Sequence, residues 1–480
     1  MILLILVIVP LAASIVSFFM KKQTLMLGRV AFGAVAIELV CALLAVARVA
    51  HEGVYAAAGI FSVDALGAIV LIIVSIVGFA AAWYSGPYLR VELSKEVIDP
   101  LKVRQYFVLL HLFLFAMYFA IITSSPILAW VAIEATTLST AFLVSFYNKS
   151  SGIEAAWKYL IINSVGLLLA FFGTLLFLYP MLSTNHLGIV SWQSLIGVVG
   201  LDPFIAKAAF IFVMVGYGTK TGLAPMHTWL PDAHSKAPVP VSALLSGVLL
   251  NVAFLTILRF KLVTDAAVGP EFSRGVLIFF GLASILVAAF IIFIQKNYKR
   301  LLAYSSIEHM GVIALGFGFG GLGAFAALLH MVYHALAKSL LFLSAGNIFI
   351  KYSSTKIKNI TGVAAVLPVT AALFVIGFLA ITGVPPFGIF NTEFLVLSAG
   401  IKDHLAIVVI ALAGLALIFA GFLRHVVAMV MGSNDKGLAR GESGVGTVAP
   451  IIVLAVILIV GSFYIPAVLR TLIISASSRF

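Results

Sequence analysis

Four ionisable side chains stand inside long apolar runs of this chain. They are Glu134 in Trp-Val-Ala-Ile-Glu-Ala-Thr-Thr-Leu, Lys220 in Gly-Tyr-Gly-Thr-Lys-Thr-Gly, Lys338 in His-Ala-Leu-Ala-Lys-Ser-Leu-Leu and Glu393 in Phe-Asn-Thr-Glu-Phe-Leu-Val. A charge at the centre of a bilayer-spanning helix costs about 2.5 kcal/mol or more, so a retained one is a candidate for moving ions or protons. A lysine that can give up its proton beside a carboxylate that can take one is the elementary unit of a proton relay. His330 and His334 share a helical face with Lys338, at i, i+4 and i+8. Supporting candidates are His227 and His234 downstream of Lys220, the adjacent pair Glu308 and His309, and Glu154 with Lys158. The last two sit at i, i+4 and read equally well as an ordinary helix-end ion pair. His330 and His334 also have the spacing of zinc ligands. No third ligand is evident, so no metal site is expected. Glu38, in another apolar run, has no such company.

These residues need a scaffold, and composition names its class. The chain has 480 residues, 63% hydrophobic and 10% charged, with a mean hydropathy of +1.21. Soluble domains carry about 25% charged residues, so this is an all-α polytopic membrane protein. Apolar runs between charged or Gly/Pro/Ser-rich breaks give about fourteen spans. They lie near 2–20, 28–48, 63–84, 105–123, 126–147, 154–180, 204–229, 238–260, 274–294, 301–319, 323–349, 364–399, 405–430 and 447–470. The first has no basic residue ahead of it and is followed by Lys21 and Lys22, which suits a retained span rather than a cleaved signal. No loop is long enough for a soluble domain. The single cysteine, Cys41, excludes disulfides and a cysteine-ligated iron–sulfur cluster within the chain.

The net charge of +12 comes from 29 Lys+Arg against 17 Asp+Glu. In a membrane protein this excess points to cytoplasmic loops, not to nucleic acid. With the N-terminus outside, seventeen basic residues, among them Lys95, Lys149, Lys236, Lys299, Lys351 and Lys436, fall on the cytoplasmic side and seven on the other. That bias fits fourteen helices with both termini on the outer side of a prokaryotic inner membrane.

Two spans carry breaks. Gly222 and Pro225 interrupt the seventh, and Gly383, Pro385, Pro386 and Gly388 interrupt the twelfth. Proline removes a helix hydrogen bond and glycine relaxes the turn, so each span becomes two half-helices around a linker. The breaks are five spans apart. This is the separation expected of two inverted five-helix repeats, helices 4–8 and 9–13. The chain then divides as one transmembrane domain, 1–480: helices 1–3 in 1–100, the first repeat in 101–260, the second in 272–430, and helix 14 with a tail in 447–480. Gly318-Phe-Gly-Gly-Leu-Gly323 matches a dinucleotide fingerprint, but no strand precedes it and the context fails. No cofactor is expected in this chain.

Four stretches together resemble the antiporter-like, proton-translocating subunits shared by respiratory complex I, Mrp-type antiporters and membrane-bound hydrogenases. They are Lys220-Thr-Gly-Leu-Ala-Pro-Met-His-Thr-Trp-Leu-Pro-Asp-Ala-His-Ser-Lys-Ala-Pro238, Tyr304-Ser-Ser-Ile-Glu-His-Met-Gly311, His330-Met-Val-Tyr-His-Ala-Leu-Ala-Lys338 and Gly383-Val-Pro-Pro-Phe-Gly-Ile-Phe-Asn-Thr-Glu393. The resemblance implies that Glu134 and Lys220 form the helix 5–helix 7 pair, that Lys338 and its histidines form the central connection, and that Glu393 is the terminal acid. Asn251 departs from the pattern, since complex I members usually carry a lysine there; central transfer would then rest on Lys338, His330, His334 and water. Glu134-Ala-Thr-Thr-Leu-Ser-Thr-Ala-Phe, Ser242–Asn251 and Glu308-His309 look like the hydrogenase-4 component F branch. That branch implies other membrane subunits, and peripheral nickel–iron hydrogenase-like and iron–sulfur subunits, as partners. An Mrp-type Na⁺/H⁺ antiporter or a quinone-reducing NADH dehydrogenase complex is the alternative setting. The chain stops soon after helix 14, without the lateral helix of a distal complex I subunit.

Overall fold

A computed structural model describes residues 1–20, 23–182, 190–197, 201–434 and 436–480; Lys21 and Lys22 lie outside the described residues. Among these, thirteen helices are long and apolar enough to cross a membrane. A fourteenth crossing is split between Pro368–Ile381 and Gly388–Gly400. The spans run Ile2–Phe19, Thr24–Glu52, Ala65–Ser94, Pro100–Ile122, Pro126–Val144, Ser150–Met181, Pro203–Lys236, Val239–Val268, Pro270–Ile292, Tyr298–Phe319, Leu322–Tyr352, the split twelfth, Leu405–Val430 and Val445–Phe463.

Many starts are written locally. Asp99-Pro100, Ser125-Pro126 and Asp202-Pro203 each place a side-chain acceptor at the cap and proline in the first turn, where its missing N–H costs nothing. Asp64 and Asn297 cap the third and tenth spans with a side-chain acceptor alone, without the proline. Several helices outrun the apolar runs that announce them. The second and third extend through polar ends to Glu52 and Ser94, because a helix continues into the interface wherever its backbone is satisfied. A short antiparallel hairpin, Val54–Ala57 with Phe61–Asp64, joins them. The fourteenth span ends at Phe463, and a separate helix, Ala467–Ser477, follows.

The spans are enclosed to very different degrees. The eighth, tenth and eleventh are surrounded by protein, whereas the first and thirteenth keep only a third of their apolar stretch buried. Polar side chains on the three central spans are therefore shielded from lipid. The seventh span breaks after Thr221, where Gly222 adopts φ +79°, a conformation other residues rarely take. The freed backbone groups are satisfied inside the protein: Trp229 donates to the carbonyl of Thr219 at 2.8 Å, and the N–H of Ala224 donates to Ser284 at 2.9 Å. A five-residue π-helical turn, Leu245–Leu249, interrupts the eighth span, and Asn251 donates to the carbonyl of Gly247 there at 2.8 Å.

Candidate functional site

Among the described residues, the four intramembrane charges expected to act fall in two buried clusters. The first lies where spans five, six and seven meet. Lys220 ends the first half of span seven and is fully enclosed. Its Nζ donates to Thr137 Oγ1 and to Tyr159 OH, both at 2.8 Å, and it stands over the Tyr159 ring. Glu134 accepts from Thr137 at 3.4 Å and from Ser164 at 3.0 Å. The pair expected from the sequence is therefore joined through one hydroxyl. Thr137 has a single proton, so its accepting from the ammonium and donating to the carboxylate gives a directed path, Lys220 to Thr137 to Glu134. Close packing sets the spacing. A methyl group on Gly216 would overlap the backbone of span six at Gly166 and Ala170, so only glycine lets the helices approach this closely. Glu134 itself is half-buried, at the rim.

The second cluster joins spans ten, eleven and twelve. Thr392 donates to the carbonyl of Ile389 at 2.9 Å, so its oxygen must accept from His330 Nδ1–H at 2.8 Å. A neutral His330 then presents a lone pair on Nε2, and His309 Nδ1–H fills it at 3.0 Å. His309 Nε2 lies 3.4 Å from Glu308 Oε2, a close approach that does not form a hydrogen bond. Glu393 Oε1 lies 3.9 Å from His309 Nδ1. Gly383, at φ +63°, folds the span-twelve linker against the Glu393 carboxyl, and a methyl group at that position would overlap it. Lys338 Nζ donates to the carbonyl of Leu302 at 2.9 Å, one helix away. His334 makes no side-chain hydrogen bond, and its ring centroid lies 5.3 Å from that of His309.

Between the clusters runs a thinner polar seam. Ser246 and Ser306 share a hydrogen bond at 2.7 Å. Asn251 keeps an unpartnered buried oxygen. His227 sits edge-on to Tyr304, and His234 stacks on Phe342 with both ring nitrogens unpartnered. Gly247, across from Ser339 and the Ala335 carbonyl, keeps span eight close to span eleven.

Other expected residues lie apart. Glu154 and Lys158 pair at 2.6 Å, but both side chains are largely exposed. Lys158 also reaches Asp232, which in turn pairs with Arg300 of span ten. Glu38 is enclosed in span two, and neither carboxyl oxygen has a hydrogen-bond partner. Of the linker residues, Gly222 and Gly383 take the left-handed backbone, Pro225 follows the first break, Gly388 abuts the Tyr333 ring, and Pro385 and Pro386 are exposed.

Sequence reasoning passed over Thr137, Tyr159, Ser164 and Thr392. Thr137 stands at i+3 from Glu134, on its face, and Thr392 immediately precedes Glu393; spacing could have raised the first. Tyr159 and Ser164 depend on how span six packs.

The profile of the family described as NADH:quinone oxidoreductase/Mrp antiporter, TM matches residues 123–419. A hydrogenase-4 component F homolog of Methylacidiphilum infernorum (isolate V4) is 42% identical over 343 residues, covering 71% of this chain and 72% of that protein. Hydrogenase-4 component B of Escherichia coli (strain K12) is 31% identical over 343 residues, covering 69% of this chain and 49% of that protein. A chain in the structure of the membrane-bound sulfane sulfur reductase, an archaeal respiratory membrane complex, shares the fold. It matches with a TM-score of 0.87 at 22% identity, over 99% of this chain and 97% of that one. With more than half its length matched by the family profile, and with both buried clusters inside the matched region, this chain belongs to the NADH:quinone oxidoreductase/Mrp antiporter transmembrane family.

Proposed function

We propose that the chain moves protons across the membrane as a subunit of an energy-converting hydrogenase or formate-hydrogenlyase-like complex. Redox chemistry in partner subunits would alter the charge balance of Glu134 and Lys220, and protonation would pass through Lys338 toward the histidine cluster and Glu393. The observation that carries this reading is the Lys220–Thr137–Glu134 link. Lys220, fully enclosed on the broken span seven, and Glu134, at the rim of span five, are two groups that can exchange protons, joined by one hydroxyl. Spans 4–8 and 9–13, each with its broken helix in fourth place, act as two inverted units. The lysine-rich loops face the cytoplasm and both termini face outward. Glu154 and Lys158, being exposed, serve at most in proton uptake from that side. The partners we assign are other membrane subunits together with nickel–iron and iron–sulfur subunits, in line with similarity to a protein named for hydrogenase-4.

The family also includes Mrp antiporters, so Na⁺/H⁺ exchange is the competing function. Gentle purification of the native complex, followed by mass spectrometry of every co-purifying chain, separates them. A nickel–iron large subunit supports the proposal. Only small membrane subunits, with sodium-dependent proton flux in vesicles lacking an electron donor, would replace it.

A further inference from the structure

We propose that His309, His330 and Glu393 form a binding site for a divalent late transition-metal ion, Zn²⁺ in the first instance, and that the metal occupies the place of a proton in the second cluster. The sequence expectation of no metal rested on the lack of a third ligand beside His330 and His334. Packing supplies different partners. His309 Nδ1, His330 Nε2 and Glu393 Oε1 come from three separate spans and lie within 4.8 Å of one another. The two closest separations are 3.0 Å and 3.9 Å. A tetrahedral zinc with bonds of 2.0–2.1 Å holds its ligand atoms about 3.3 Å apart. The two imidazole nitrogens are already near that distance, whereas Glu393 stands farther out, with the whole set within 4.8 Å, so its carboxyl must close on the histidines by up to about 1.5 Å to seat the ion.

The surroundings are those a bound metal needs. A ligating histidine ordinarily gives its other N–H to a fixed acceptor, which sets its tautomer and orients the ring. His330 already does so through Nδ1–H to Thr392, leaving on Nε2 the lone pair that the metal would take from the His309 proton. His309 has Glu308 3.4 Å from an otherwise unpartnered Nε2, so with a metal on Nδ1 a small rotation would give Nε2–H a carboxylate to donate to. His334 lies beside His309 but outside this group of three, so water is assigned the fourth position. Two imidazoles with one carboxylate is a donor set that suits zinc. Metal binding expels the proton held between His309 and His330, so at least one proton is released for each ion bound. Of the three ligands, Glu393 is the one that reaches the molecular surface, its side chain being 13% exposed.

The site goes beyond proton transport, and the test begins with a readout that does not depend on it. The intact purified complex is stripped with chelator, loaded with Zn²⁺, desalted, and its metal counted. We expect one zinc more per copy of this chain in the wild type than in H309Q or H330Q. The surface variants H51Q and H404Q should match the wild type. T392V should bind about 10–100-fold more weakly, as loss of an outer partner does. X-ray absorption of zinc-loaded wild type, compared with the stripped complex, should add two imidazoles and a carboxylate; this holds even if a variant fails to assemble. No retained zinc above the surface controls, or a shell without imidazole, overturns the site. Zinc that binds as described yet leaves proton translocation undiminished keeps the site and removes the second cluster from the proton path. Proton translocation without zinc retention removes the site alone.

Discussion

Replacing Thr137 by valine keeps the shape of the side chain and deletes the one hydroxyl that touches both Lys220 and Glu134. Lys220 holds two side-chain hydrogen bonds at 2.8 Å, so the substitution removes half of its partners and leaves Tyr159. A hydrogen bond to a charged group contributes about 1.5–3 kcal/mol, and about 1.4 kcal/mol corresponds to a factor of ten. The state in which the Lys220 ammonium feeds Glu134 should therefore fall about 10- to 100-fold in population, and coupled proton translocation with it. The assay is quenching of a pH-sensitive dye in proteoliposomes holding the whole complex, with electron transfer followed in the same sample. T137S restores the hydroxyl and should return most of the rate. Unchanged translocation in T137V, with the complex fully assembled, would refute the path through Thr137. Loss of assembly in the valine variant, with the serine variant intact, would instead make the hydroxyl a structural tie.

Three further outcomes follow from the same geometry. K220M should abolish proton translocation while the complex still assembles, because methionine fills the space but carries no proton; a pumping K220M complex would end the relay reading. G383A adds a methyl group against the Glu393 carboxyl at a left-handed backbone position, so the purified complex should lose about 1–3 kcal/mol of stability, read as a lower unfolding temperature. E154Q and K158M, by contrast, alter an exposed pair and should change neither melting nor the dye response; a large loss of translocation in either would place them in the path after all.

The parts of this architecture written in local sequence were the ones open to reading. Apolar run length fixes a crossing, and Gly222, Pro225, Gly383 and the Pro385-Pro386 pair break helices through backbone chemistry that needs no partner. What remained hidden depends on packing between distant segments. His330 and His334 share a helical face, yet His330 accepts from His309 of span ten and donates to Thr392 of span twelve, and no periodicity within span eleven encodes those partners. Thr137 looks like any of the hydroxyl residues in Thr136–Thr140 until Lys220 arrives from another helix. Asn251 departs from the lysine expected there. In the structure its amide caps a carbonyl at the π-helical turn, which gives the residue a structural use alongside its unpartnered oxygen.

The rim position of Glu134 leads to a last prediction. Lys220 and Lys338 are wholly enclosed, but Glu134 is half-buried on a face whose neighbours Val131 and Leu138 are 47% and 56% exposed. Across the groove, span six presents Trp157, Ile161 and Val165, all more than half exposed. Hydrocarbon against an ionisable group costs several kcal/mol, whereas a polar surface from another protein chain lowers that cost. The face formed by spans five and six should therefore be covered by a neighbouring membrane subunit, which would also give Glu134 a proton donor or acceptor outside this chain. The native chain has one cysteine, Cys41, buried in span two. A Cys41→Ser background carrying Leu138→Cys, labelled with a maleimide–benzophenone reagent, should photo-cross-link to a neighbouring subunit in native membranes, the excited ketone inserting into a C–H bond of whatever chain lies against it. The same background carrying Leu412→Cys, on the exposed face of span thirteen, tests whether any outward position would do so. Cross-linking at 412 to the exclusion of 138 would leave Glu134 facing lipid. The charge exchange between subunits on which the coupling depends would then have no route through this side of the molecule.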